Sequence, residues 1–159
     1  MVTILILAAS LSASAAPTSH VRTTDTRIAA LLDARLTRSK TFRQLVDLLN
    51  ASDVIVYVDA KQTRPELRGF LAHTMFSAAG VRYLRISVRT QGADRWLVAV
   101  LAHELQHAVE VAEHPDVRDG NELERLFKHI SSPLTCGGIC SETLAAMDVQ
   151  ATVEAELKK

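Results

Sequence analysis

The segment Ala93 to Glu113, ADRWLVAVLAHELQHAVEVAE, constrains this chain more than any other. Its first half is apolar on nearly every side, which marks a helix enclosed by neighbours and not an amphipathic surface helix. Yet its centre carries the pentad His103-Glu104-Leu105-Gln106-His107. Sinking so many polar groups into a buried helix costs desolvation, which a fold tolerates when the groups are paired or bind a metal. Residues four apart share a helix face. Both imidazoles can therefore address one cation while Glu104, one position after His103, leans toward a water on that cation. Such a pentad arises by chance in about one chain in a hundred of this composition, so chance explains it poorly. The competing explanation is a buried helix whose histidines are satisfied by carbonyls or carboxylates. Asp94 is expected as the N-cap, and Pro115 closes the segment.

The pentad resembles the active-site helix of the zincins, metallopeptidases built around HExxH. The match covers His103, Glu104 and His107 directly. It implies Zn2+ bound by His103 and His107, Glu104 as general base, and a third protein ligand from farther along the chain. Outside this helix the similarity is a general one, to small bacterial HExxH proteins.

For the third ligand, the metzincin pattern HExxHxxGxxH fits badly: Glu110 stands where that pattern has its Gly, and Glu113 where it has its last His. A gluzincin-like arrangement takes a Glu from a second helix downstream. Glu142 is favoured for this role, with Glu124 second and Glu122 third. It is expected to open a helix after a Gly-containing turn, with Ser141 as N-cap and Ala145, Ala146, Val149 and Val153 as a small-residue face. Its Glu-x-x-Ala spacing looks like the third-ligand helix of small HExxH proteins. Glu110 reads as a group that orients a ligand imidazole or pairs with Arg64 or Arg68. His114 lies on the same helical face but about 10 Å beyond His107, out of coordinating reach, and reads as a polar helix end.

At 159 residues, 48% hydrophobic and 23% charged, the chain has room for one sizeable core that encloses such a helix. Net charge is zero and aromatics are few, which gives no support to nucleic-acid binding. Val2 to Ala16 is a short apolar run ending in Ala13-Ser14-Ala15, an A-x-A cleavage pattern. Residues 1–16 therefore read as a signal peptide, although no Lys or Arg follows Met1; an uncleaved anchor or a buried strand are the alternatives. The expectation is a secreted or periplasmic protein with one zincin-like domain over 17–159 and no stable membrane span once the signal is removed. Cys136 and Cys140, in TCGGIC, would then form a disulfide; in a cytosolic protein they would be free thiols.

Helical spacing marks Arg27 to Leu36 and Thr41 to Leu49, and a β-branched run marks a strand at Asp53 to Asp59. Phe70 to Ala78 and Val81 to Arg89 read as two strands joined around Ala79-Gly80. Asp119 to Ile130 reads as a further helix. The fold expected is α+β and zincin-like: a small, mainly antiparallel sheet, the HExxH helix, then two more helices. A sheet edge beside the metal could align a peptide or protein substrate. The expected chemistry is hydrolysis of a peptide bond by a zinc-activated water, with Glu104 taking the proton and an oxyanion donor drawn from His73, Tyr83, His129 or the arginines. Two alternatives remain open: a zincin-like metal-binding module without catalysis, and a zinc amidase acting on a non-peptide substrate.

Overall fold

The computed structural model describes residues 19–36, 38–60, 67–132 and 142–158. In chain order the elements are β1 (Val21–Thr23), α1 (Thr26–Leu36), α2 (Lys40–Asn50), β2 (Val54–Asp59), β3 (Gly69–Leu71), β4 (Phe76–Ala78), β5 (Val81–Val88), α3 (Asp94–Ala112), α4 (Gly120–Ile130) and α5 (Leu144–Glu156). The Val2 to Ala16 run, Arg64, Cys136, Cys140 and Ser141 lie outside the described residues. No helix among those described is long and apolar enough to cross a membrane.

The architecture is α+β, but the sheet is mixed where a mainly antiparallel one was expected. Its order is β1-β2-β5-β3, with β4 also on β5. The β1–β2 and β2–β5 ladders are parallel, and only the short β3 and β4 run antiparallel to β5. Parallel neighbours need a crossover, and α1 with α2 supplies it between β1 and β2. Alternation within a strand carries no information about its neighbour's direction, which is why the sequence reading missed this. The strand expected over Phe70 to Ala78 is broken into β3 and β4 by residues 72–75. Ala79 (φ 50°) and Gly80 (φ 81°) form the two-residue turn into β5, both in the left-handed region that such a hairpin demands.

One sheet face is the core face. Val54, Val56 and Val58 on β2 and Leu84, Ile86 and Val88 on β5 are almost fully buried and join Leu97, Val98, Leu101 and Leu105 of α3 in a single cluster. Each such side chain contributes about 1.5–3 kcal/mol. The opposite face is more open, with Tyr57 exposed. Helix α3 lies in the middle, against α5, α2, β3 and β5. From Leu97 to Val111 every residue but Gln106 is buried. Its N-cap is Ala93, which makes no side-chain cap; Asp94 is the first helical residue and pairs with Arg27 at 3.0 Å. The expectation of Asp94 as cap is thus corrected, the carboxylate being drawn to a cation on α1.

The far end of α3 is held by a residue that the alternation of β5 did not single out. Arg82 is completely buried and reaches Asp53 at 2.6 and 2.9 Å. It also donates to the carbonyls of Val111 and His114, each at 2.8 Å, and to those of Val117 and Ala112. The guanidinium thus gathers carbonyls at the negative end of the helix, some of which also accept backbone N–H groups, and its charge complements the helix dipole there. Its hydrogen bonds hold the Asp53 carboxyl below its usual range, against the effect of burial.

Candidate metal centre

His103 and His107 point to the same side of α3, and both are buried. Glu142 comes to meet them: its Oε2 is 3.0 Å from His103 Nε2. Ligand atoms of His103, His107 and Glu142 all lie within 4.8 Å of one another, the one such three-residue cluster among the described residues. Glu142 is not in the first turn of a helix as expected. It stands one residue ahead of the N-cap, which is Thr143 and not Ser141. Its backbone carbonyl accepts from Ser132 N at 2.9 Å.

A chain of hydrogen bonds holds this segment against α3. His107 Nδ1 donates to Glu110 Oε2 at 2.8 Å, and Thr143 Oγ1 donates to Glu110 Oε1 at 2.6 Å. The same Thr143 hydroxyl accepts from Ala146 N, capping α5. One carboxylate thereby orients a histidine and anchors the residue next to Glu142. With Nδ1 engaged, the lone pair of His107 Nε2 is left for a cation. Phe127 of α4 packs its ring edgewise on His107, centroids 5.2 Å apart, and fixes the imidazole from another side.

Glu104 is buried beside the cluster, and burial pushes its carboxyl up to about 7. His107 and His103 oppose the rise, Glu142 adds to it, and the Leu71 backbone N–H works against it. Strand β3 comes this close because residue 69 is glycine: a Cβ there would stand 2.7 Å from Val100 Cγ1 and 3.0 Å from Glu104 Oε1. Burial works against a charge on His103, but its hydrogen bond to Glu142 and the neighbouring carboxylates outweigh that and raise its pKa. That same bond lowers the pKa of Glu142. His103 Nδ1 is buried with no hydrogen-bond partner among the described residues. Two imidazoles and a carboxylate at such distances are a donor set for a first-row divalent cation.

The chain matches no known family, curated protein or solved structure.

The rival carboxylates are elsewhere. Glu124 is exposed and paired with Lys128 at 2.7 Å, Glu122 accepts from Arg118 N at 2.7 Å, and Glu113 is exposed past the end of α3. Arg68, weighed as a partner of Glu110, lies instead over the Trp96 ring. Among the oxyanion donors considered, His129 is exposed on α4, and Tyr83 is on the face of β5 opposite Arg82 and Leu84. His73, in the break between β3 and β4, stacks on Phe127 at 6.4 Å, the ring that also packs on His107. Thr143, Phe127 and Gly69 were not identified from sequence. The Ser141-Glu142-Thr143 run offers two candidate caps, and only the helix register distinguishes them.

Proposed function

We propose that this chain is a zinc-dependent hydrolase of the zincin-like kind, a metallopeptidase in which His103, His107 and Glu142 hold the metal and Glu104 is the general base. The observation that carries this reading is the convergence of His103, His107 and Glu142, from two separated segments, next to a buried fourth side chain, Glu104. The fit is chemical. His107 has its second nitrogen engaged, His103 Nε2 and Glu142 Oε2 are 3.0 Å apart, and all three residues are at least half withdrawn from water. A zinc ion in this donor set supplies Lewis acidity and lowers the pKa of water toward neutrality.

The protein's own part is proton transfer and alignment. Glu104 takes the proton of the attacking water and passes it to the leaving amine; its buried carboxyl, next to His103 and His107, is the group within reach of both. Strand β3 is at the sheet edge, and no described strand pairs with its far side, so an extended substrate can lie there beside Glu104. The same donor set also serves iron(II) oxygenases. A buried carboxylate poised as a proton acceptor favours hydrolysis over that chemistry.

Elemental analysis after zinc reconstitution should find about one zinc per chain, lost in the His103→Ala/His107→Ala double variant. Glu104→Gln should keep the metal and lose at least about 10²-fold in the rate of cleaving any peptide that the wild type cleaves. No zinc in the wild type would refute the metal site. Full activity in Glu104→Gln with zinc bound would refute the catalytic role.

A further inference from the structure

A cavity of about 520 Å³ opens at the amino end of α3, away from the metal cluster, lined by Arg68, Arg89, Arg95, Trp96, Gly92 and Glu154. Its three arginines come from three places: the approach to β3, the exit of β5, and the first turn of α3. The Arg68 guanidinium is held 4.7 Å above the Trp96 ring. Among the described residues one carboxylate stands on the wall, Glu154, which pairs with Lys158 at 2.9 Å and also feels the charge of Arg95. Arg68 and Arg95 therefore bring to the wall two positive groups whose forked donors suit a carboxylate. The uncapped amino end of α3 adds to that field; the guanidinium groups make the site.

Two rulers relate this cavity to the metal cluster. Trp96 precedes His103 by seven positions, two turns along the same face of α3, which is about 10 Å. Arg68 precedes Leu71, whose N–H faces Glu104, by three positions, which along a strand is again about 10 Å. An extended peptide covers about 3.3 Å per residue. We propose that this cavity is an anion subsite that binds the carboxylate of an acidic residue about three positions from the scissile bond of a peptide laid along β3. The substrate class is thus acidic peptides. The distance to the scissile bond rests on the peptidase reading above; the preference of the cavity for a carboxylate does not.

Trp96 is the only tryptophan, so binding can be read from its fluorescence without metal or turnover. The metal-free protein should be titrated with an amidated, acetylated Ala-Ala-Glu peptide, its Gln counterpart, and inorganic phosphate. The Glu peptide should change Trp96 emission and bind at least about tenfold tighter than the Gln peptide, the ratio one charge-assisted contact supports. The difference should shrink in high salt and vanish in Arg68→Gln and in Arg95→Gln, both surface changes checked by circular dichroism. Equal binding of the two peptides, unaltered binding in both variants, or saturation by phosphate with no gain from the peptide would overturn the subsite. With zinc restored, moving the Glu one position at a time along a cleavable peptide should place the maximum of kcat/KM about three residues from the cut. A flat profile would overturn the placement. Loss of zinc binding with an intact fluorescence response would instead strike only the hydrolase reading.

Discussion

Glu104 shows what one buried carboxyl does to a fold before any metal enters. Its folded pKa of about 7 lies above the ordinary 4.5, so folding favours the protonated form. The contribution is intact below the unfolded value and is lost as pH rises through about 7. In chelator, Glu104→Gln should therefore match the wild type near pH 4.5 and exceed it by about 3 kcal/mol near pH 8, as read by urea unfolding. Parallel curves for the two proteins would show that the carboxyl is not held as argued. Ala79 is a smaller case of the same kind. An L-residue with a side chain at φ 50° is strained in a turn that favours Asn or Gly. Ala79→Asn should raise stability by about 0.5–1 kcal/mol without altering the metal cluster, and a fall in melting temperature would contradict the turn assignment.

At the scale of elements, the cluster of His103, His107 and Glu142 depends on where two segments meet α3. Thr143 ties the amino end of α5 to Glu110, which in turn holds His107. Thr143→Val keeps the shape of the side chain but removes the cap and leaves a Glu110 oxygen unpaired, at a cost of about 1–3 kcal/mol. It should also weaken zinc binding by about 10–100-fold in a chelator competition, and Thr143→Ser should restore it. Equal affinity in the Val variant would mean that Glu142 is placed by other contacts. The other end of α5 is tied as well: Glu156 accepts from Ser39 Oγ and Thr41 Oγ1 at the start of α2. On the opposite flank, Gly69 lets β3 touch Glu104. Gly69→Ala drives a methyl group into Val100 and Glu104 and should destabilise the protein by about 1–3 kcal/mol.

For the molecule as a whole, the cluster of His103, His107 and Glu142 joins the middle of the core helix to a residue more than thirty positions after His107. Zinc that binds only the folded chain stabilises it by mass action, about 4 kcal/mol at a thousand times Kd. The melting temperature should rise on the order of 10 °C with zinc and return on chelation. In His103→Ala/His107→Ala the metal should make no difference. An equal zinc-induced rise in that variant would place the metal elsewhere.

The sequence by itself determined the core helix and its polar pentad. An unbroken apolar run interrupted by His103, Glu104 and His107 is a local signal, and burial and periodicity are written in adjacent residues. It also determined α1, α2, α4 and the turn into β5, for the same reason. Glu142 could be ranked over Glu124 and Glu122 by its context, but not seated, because seating depends on which cap starts α5 and on what that cap touches. The parallel pairing of β1, β2 and β5 was decided only by the tertiary structure, since a strand's alternation is the same beside either kind of neighbour. So were the clamp of Arg82 on the end of α3, the approach of Gly69 to Glu104, and the Glu110–Thr143 link. Each is a contact between residues far apart in the chain, with partners that no local pattern names.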